Sequence, residues 1–376
     1  MRPELASRAR DLASALEKIK PEDFHVAVEK EARRRLDQFA RGVRKYRAAP
    51  RPPRPPEPPA IWQEGTTRLL DFGAASAAQD RKKNGQKDPR PLVLVIPSLV
   101  NRYWVLDLAE DQSLLRDLAA RGLRPIVVDW DAPKGEERNF SMVDYVAGRL
   151  ERALDFCVKE NGGPVALVGY CMGGLLAAAL AVRRPDDVSG LASLAAPWDF
   201  HAAYGDMVRL LEMMLPGLEA AISALGVLPV DMLQAMFAGL DPYATPGKFR
   251  RFAELDDTSD DARRFIQLED WLNDGVDLAG PVARECFRDW HLYNTPARRQ
   301  WRVGGRVVDP AQIGCPALIV VPERDHIVPP ASSRALADAI PGATLMSLPA
   351  GHIGLVSGGR AADQVFRPLA DWLKAL

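Results

Sequence analysis

The residues best equipped for covalent chemistry lie in Gly169-Tyr170-Cys171-Met172-Gly173-Gly174, directly after the apolar run Val165-Ala166-Leu167-Val168. A strand ending in Gly-x-nucleophile-x-Gly and passing into a small-residue helix, here Leu175 to Ala181, makes a turn that thrusts the nucleophile out of the sheet. The glycines are needed because so tight a turn leaves no room for side chains near the nucleophile, whose own backbone is strained. A thiol in that position needs a base to generate thiolate and a group to orient the base.

Such turns take their partners in the chain order nucleophile, acid, histidine. Only five histidines are present. His25 lies in a basic leader, His201 just after an expected strand and His291 in a helical block. His326 follows Asp325, in the segment after the apolar run 317–321, and His352 follows the last expected strand. Asp325 and His352 therefore fall at carboxyl ends of strands, the edge where parallel sheets assemble sites. The expected triad is Cys171, Asp325 and His352, with His326 packing beside the acid or bonding locally. The oxyanion donors expected are the backbone N–H of Met172 and one from the loop Pro97-Ser98-Leu99-Val100-Asn101-Arg102, assigned to Val100. Cys157 and Cys315 read as small buried hydrophobes.

The elements that must position these residues follow from periodicity. Residues 4–19 place Leu5, Leu12, Leu16 and Ile19 on one helical stripe, and a second helix is expected from about Pro21 to Tyr46. The run Arg51-Pro-Pro-Arg-Pro-Pro-Glu-Pro-Pro59 excludes helix and central strand, so a polyproline-type linker closes a leader of residues 1–59. From residue 60, strands at 66–72 and 91–96 flank a charged loop at 80–90. Helices at 111–120 and 142–160 then alternate with strands at 124–128, 165–168 and 188–195. Residues 200–300 interrupt this with Met-rich helical segments that read as a cap over the active site. The alternation resumes with strands at 317–321 and 343–348 and helices at 331–339 and 361–376. Alternating strand and helix implies a mostly parallel sheet covered on both faces. Together with the elbow it gives an α/β-hydrolase fold with an inserted helical cap, spanning residues 60–376.

Composition narrows the function class. The 376 residues carry a net charge of −1, but residues 1–55 hold 15 Lys and Arg against 8 Asp and Glu. A basic leader on a mildly acidic body suits either an anionic surface or partner, or a solvated helical arm; nucleic acid is not an expected partner. The four cysteines show no metal-like or Cys-x-x-Cys spacing, and no signal-type apolar segment opens the chain. The expectation is a cytoplasmic protein with reduced thiols, no metal and no cofactor. The richest apolar stretch, residues 210–240, is broken by Glu212, Pro216, Glu219, Pro229 and Asp231 and is not a membrane span.

A cysteine at the elbow favours acyl transfer. Attack on an acyl-CoA exchanges one thioester for another, so the acyl group stays activated, and a hydrophobic cap would keep water from it.

Several blocks occurring in order make the chain resemble the polyhydroxyalkanoate synthases, especially the short class that works with a companion subunit. The blocks are Pro97-Ser-Leu-Val-Asn-Arg-Tyr-Trp-Val-Leu-Asp-Leu108, Val128-Asp-Trp130, the elbow, Pro197-Trp-Asp-Phe200, Trp271-Leu-Asn-Asp274, Asp325-His-Ile-Val-Pro329 and Gly351-His-Ile-Gly354. The resemblance runs from about Ile61 to Leu376. It implies polymerisation of (R)-3-hydroxyacyl-CoA with CoA release. Cys171 would carry the acyl group, His352 would act as general base, and Asp325 would support His352 and the 3-hydroxyl. It also implies a homodimer at a polyester granule surface. The chain departs from the family in Ser98 and Val100, where Pro-Pro-x-Ile-Asn is usual, in Leu175, where threonine is usual, and in its leader. The rival reading is a hydrolase with the same triad, an intracellular polyester depolymerase or an acyl-CoA thioesterase; a binding protein without catalysis is the third.

Overall fold

Leu92-Val-Leu-Val-Ile96, Val165-Ala-Leu-Val168 and Ala317-Leu-Ile-Val-Val321 are apolar without alternation, which suits strands buried on both faces. A computed structural model, describing residues 3–74, 88–202 and 205–376, places all three segments as interior strands of one eight-stranded sheet. Most of the charged loop expected at residues 80–90 lies outside the described residues.

Along the chain, helices α1 (Pro3–Leu16) and α2 (Pro21–Ala48) precede a hairpin of β1 (Ala60–Glu64) and β2 (Thr67–Asp71). Then come β3 (Leu92–Ile96), α3 (Leu114–Ala120), β4 (Arg124–Asp129), α4 (Glu151–Asn161), β5 (Val165–Tyr170), α5 (Met172–Arg183) and β6 (Val188–Leu194). Helices α6 (Gly205–Leu225), α7 (Val230–Leu240), α8 (Ala244–Phe252) and α9 (Asp260–Asn273) follow. The chain ends with β7 (Ala317–Pro322), α10 (Pro330–Ala339), β8 (Thr344–Leu348) and α11 (Arg367–Lys374). The strand order is β1-β2-β4-β3-β5-β6-β7-β8. β1–β2 and β2–β4 pair antiparallel and the other neighbours parallel. The mostly parallel sheet expected from the sequence is therefore present, as an α/β-hydrolase fold. Strand β1 is an element the periodicity did not signal, because Ala60-Ile-Trp-Gln-Glu64 is short, half-exposed and follows a proline run.

The sheet separates two cores. Leu92, Leu94 and Ile96 face one, with the apolar side of α5; Val93 and Val95 face the other, with Leu114, Leu118, Leu369 and Leu373. Alternate residues of one strand thus serve opposite layers. Helix α5 is buried nearly throughout, from Gly173 to Val182, which accounts for its Ala and Leu content and lack of polar face.

The described chain forms two compact units, Met1–Pro52 with Asp241–Ile266, and Pro53–Leu240 with Gln267–Leu376. A leader of 1–59 and one cap block at 200–300 were the expected divisions; by packing, α8 and the first half of α9 group with the leader. In that unit Gly42 of α2 meets the Phe249 carbonyl of α8 so closely that a Cβ would lie 2.0 Å from the oxygen. Phe249, Phe252, Phe265 and Tyr46 pack around this contact edge-to-face and stacked.

In the larger unit the proline run is anchored. The Arg54 guanidinium lies 4.3 Å from the centre of the Trp104 ring, Arg116 donates to the Pro56 carbonyl at 2.8 Å, and Arg68 meets Glu57 at 2.9 Å. Where β2 and β4 pair, Arg124 donates twice to Asp71 Oδ2, at 2.8 and 3.1 Å, with both side chains buried. Removing one member of a buried pair strands the other charge. Arg124→Met is therefore expected to cost about 3 kcal/mol, measured by chemical denaturation; a loss under about 1 kcal/mol would place the pair with ordinary surface bridges.

Candidate active site

Cys171 joins the end of β5 to the start of α5. Its φ of 55° and ψ of −128° are a conformation L-residues avoid, costing roughly 1–3 kcal/mol. Surrounding contacts hold it there. The Cys171 N–H donates to the Leu194 carbonyl at 2.9 Å, and its carbonyl accepts from the Gly174 N–H at 2.9 Å. The turn closes only because Gly173 has no side chain, since a Cβ there would lie 1.9 Å from the Ile96 carbonyl oxygen. Gly169 is constrained likewise, 2.5 Å from the Gly173 oxygen. The thiol is consequently half-buried at the carboxyl edge of the sheet, while Cys157 and Cys286 are fully buried with their thiols pushed up by burial.

The segments after β7 and β8 bring the other two residues together. His352 Nδ1–H donates to Asp325 Oδ2 at 2.6 Å. Asp325 Oδ1 accepts from the backbone N–H groups of Ile327 and Val328, each at 2.8 Å. Both carboxylate oxygens are thus committed and the imidazole tautomer is set, leaving Nε2 for the Cys171 thiol. Burial pulls the His352 imidazole down, but the charge on Cys171, the Asp325 hydrogen bond and a hydrogen bond with Cys171 outweigh it and push it up to about 10. The site therefore favours the imidazolium form of His352.

The remaining histidines are placed elsewhere. His326 is exposed on the loop. His201 Nε2–H donates to the His291 carbonyl at 2.9 Å and His291 Nδ1–H to the Cys286 carbonyl at 2.8 Å. Burial holds His291 below its ordinary range, so it serves as a neutral structural hydrogen-bond donor. His25 lies exposed on α2.

Of the expected oxyanion donors, Met172 opens α5, where a backbone N–H has no partner within the helix. The Val100 N–H donates to Ser98 Oγ at 3.1 Å, so Ser98 is an acceptor that shapes this loop. Sequence reasoning missed Tyr170. Its hydroxyl donates to the His352 carbonyl at 3.3 Å, and its ring lies 5.4 Å from the imidazole, tilted by 37°. Burial, then the charges of Cys171 and Asp325, raise its phenol well above the ordinary value, keeping it a neutral donor. A tyrosine beside the nucleophile on a strand carries no signal of this role until β8 and its following loop are placed.

Around the 98–104 loop a set of hydrogen bonds joins blocks far apart in sequence. Arg102 binds Asp131 at 2.8 Å and Asp274 at 2.9 Å. The Trp104 indole donates to Asp274 at 3.0 Å, the Trp271 indole to the Arg102 carbonyl at 2.9 Å and the Trp130 indole to the Pro97 carbonyl at 3.1 Å. Three tryptophans and one arginine thereby fix the loop that carries Ser98 and Val100. Asp199 is fixed similarly, accepting from Asn294 Nδ2 at 2.8 Å and the His201 N–H at 2.9 Å. Apolar residues Leu211, Leu218 and Leu233 of α6 and α7 share a cluster with Met172 and Val100, and Leu268 and Leu272 share one with Cys171.

Two outcomes are expected. Tyr170→Phe should lower kcat roughly fivefold at unchanged KM, the scale of one modest hydrogen bond; a raised KM with intact kcat would remove Tyr170 from positioning His352. Because folding raises the His352 pKa, its contribution to stability is complete below the ordinary value of 6.5 and is lost as pH rises through about 10. The thermal midpoint should therefore fall over that window more steeply in the native chain than in His352→Gln, and parallel curves would refute the shift.

Comparison with known proteins identifies the fold and the family. The model of the alpha/beta hydrolase fold family matches residues 91–358. The chain is 31% identical to the poly(3-hydroxyalkanoate) polymerase subunit PhaC of Allochromatium vinosum, over 84% of this chain and 87% of that one. It is also 31% identical to the subunit of the same name from Synechocystis sp., over 76% and 79%. Among solved structures, a carboxylesterase study from Nitrososphaera gargenis supplies a fold match with a TM-score of 0.50 at 14% identity, covering 84% of this chain and 99% of that one. The chain belongs to the alpha/beta hydrolase fold family and, within it, to the poly(3-hydroxyalkanoate) polymerase subunits.

Proposed function

We propose that the chain polymerises (R)-3-hydroxyacyl groups from their CoA thioesters through an acyl-Cys171 intermediate. The observation that carries this reading is a thiol at the elbow beside a histidine already oriented by a carboxylate at 2.6 Å, in a chain of this family. His352 Nε2 takes the thiol proton, and the Cys171 thiolate attacks the thioester carbonyl carbon. The oxyanion is held by the Met172 N–H and by the Val100 N–H, which would exchange its Ser98 acceptor for the substrate oxygen. The C–S bond to CoA breaks, and CoA leaves with the proton returned by His352. The 3-hydroxyl of a second acyl group then loses its proton to His352 and attacks the acyl-cysteine carbonyl; the C–S bond to Cys171 breaks, the proton returns from His352 to the Cys171 sulfur, and the polyester is longer by one ester bond. No cofactor is required in any step.

Thiol and hydroxyl nucleophiles differ in the energetics of the step after acylation. The acyl-cysteine is a thioester of about the same activation as the acyl-CoA consumed, so transfer to an alcohol is downhill. A seryl ester would be nearly isoenergetic with the product ester and would lose that drive. The apolar residues that cluster with Cys171 and Met172 support exclusion of water, the competing acceptor.

One assay separates the outcomes. With 3-hydroxybutyryl-CoA as substrate, CoA release is expected to accompany a growing insoluble polymer. Release with only free hydroxy acid would instead identify a thioesterase and defeat the proposal. Cys171→Ala should abolish release and Cys171→Ser should reduce it about 100-fold or more, while retained activity in the alanine variant would refute the nucleophile. His326→Gln should cost far less than His352→Gln, and the reverse result would exchange their roles.

A further inference from the structure

We propose that the unit formed by Met1–Pro52 and Asp241–Ile266 contains a binding site for a phosphate-bearing anion, in the cleft between α2 and α8 where Arg34, Arg35, Arg250 and Arg251 converge. The cleft has a volume of about 330 Å³ and is lined by these four arginines with Gln38 and Glu254. Its polar lining is thus four guanidinium groups against a single carboxylate.

The charge is built in by packing. Helices α2 and α8 approach backbone to backbone at Gly42 and the Phe249 carbonyl, and Phe39, Tyr46 and Phe265 lock Phe249 between them. Arg250 and Arg251 directly follow Phe249, and Arg34 and Arg35 lie about two turns before Gly42; all four line one cleft. Their existing partners leave the site cationic. Glu31 takes Arg34 and Arg35, at 2.7 Å each. Glu254 accepts from Gln38 at 2.8 Å, not from an arginine. Among the described residues, neither Arg250 nor Arg251 has a carboxylate partner. The Glu31 carboxyl is held low, at about 2, by its hydrogen bonds to Arg34 and then Arg35. Gly247 leaves the floor open, since a Cβ there would meet only the end of Arg251, at 3.7 Å.

A phosphate group suits this arrangement. It spreads two charges over oxygens that accept paired N–H bonds from planar guanidinium forks, which carboxylates of the chain do not supply here. Such an anion would complement the positive charge that Glu31 and Glu254 leave uncompensated among the four arginines. The ligand is either a soluble phosphate ester or the head group of an anionic phospholipid, and the two can be told apart. None of the Cys171 chemistry is involved, so this site stands or falls independently of the acyl-transfer reading.

The test uses the full chain without acyl substrate. Inorganic diphosphate is titrated by calorimetry, and vesicles of phosphatidylglycerol or of phosphatidylcholine are offered in a flotation assay. The native chain, Arg250→Gln/Arg251→Gln and Arg33→Gln are compared, the last altering an arginine outside the cleft that pairs with Glu29. Thermal midpoints confirm that each variant is folded. Saturable diphosphate binding, weakened roughly tenfold or more in the double variant and unchanged in Arg33→Gln, supports a site for a soluble phosphate. Binding to phosphatidylglycerol vesicles alone, with the same dependence on Arg250 and Arg251, supports the head group. Absence of binding to either probe overturns the proposal. So does an equal loss in Arg33→Gln, which would reduce the effect to net charge.

Discussion

The catalytic architecture depends on a backbone conformation that a cysteine would not choose. Cys171 is held at positive φ by the ladder to Leu194 on one side and by the first turn of α5 on the other. The cost is recovered from burial of an almost wholly apolar helix against the sheet. Because Gly173 touches the Ile96 carbonyl, helix, central strand and the neighbouring β3 meet at one point. The position of the sulfur is consequently set by the best-packed part of the molecule, and the loops that bring Asp325 and His352 need only reach it. A shift of the α5 start would move the thiol and the Met172 N–H together, since both belong to the same turn.

Much of this was readable in the residues. The elbow announces itself because few sequences place a cysteine between glycines at the end of an apolar run, and the paucity of histidines narrows the candidates to His352, which the structure sets 2.6 Å from Asp325. The central strands are apolar enough to identify without alternation, and the parallel order follows from the interleaved helices. Other features had no local signature. Strand β1 is half-exposed and only five residues long. Helix α8 lies nearly two hundred residues from the leader it packs against, and that pairing depends on one glycine and a few aromatic rings. Tyr170 reads as an ordinary strand residue until β8 is laid two strands beyond its neighbour β6.

The family blocks acquire a physical meaning from the same comparison. Pro97 to Leu108, Val128 to Trp130 and Trp271 to Asp274 look unrelated as strings. In space they are one hydrogen-bonded set around Arg102, in which indole N–H groups satisfy two backbone carbonyls and the half-exposed Asp274 carboxylate. Tryptophan suits this duty because it fills apolar volume and ends in a single donor. The arrangement fixes a loop beside the nucleophile with side chains that make no claim on the reaction itself. Replacing any one of them would leave a polar partner stranded at the mouth of the site.

The proline run looks like a tether, yet Arg54, Pro56 and Glu57 are tied to Trp104, Arg116 and Arg68. Trp104 is itself part of the set around Arg102. A truncation that discards residues 1–59 as a dispensable arm would therefore strip a covering from the larger unit, leaving an indole face and two arginines newly wetted. Cutting after Pro52 would preserve that covering. Where a designer places the first residue of a shortened chain, within a span of seven, decides whether the loop beside the nucleophile keeps its outer brace.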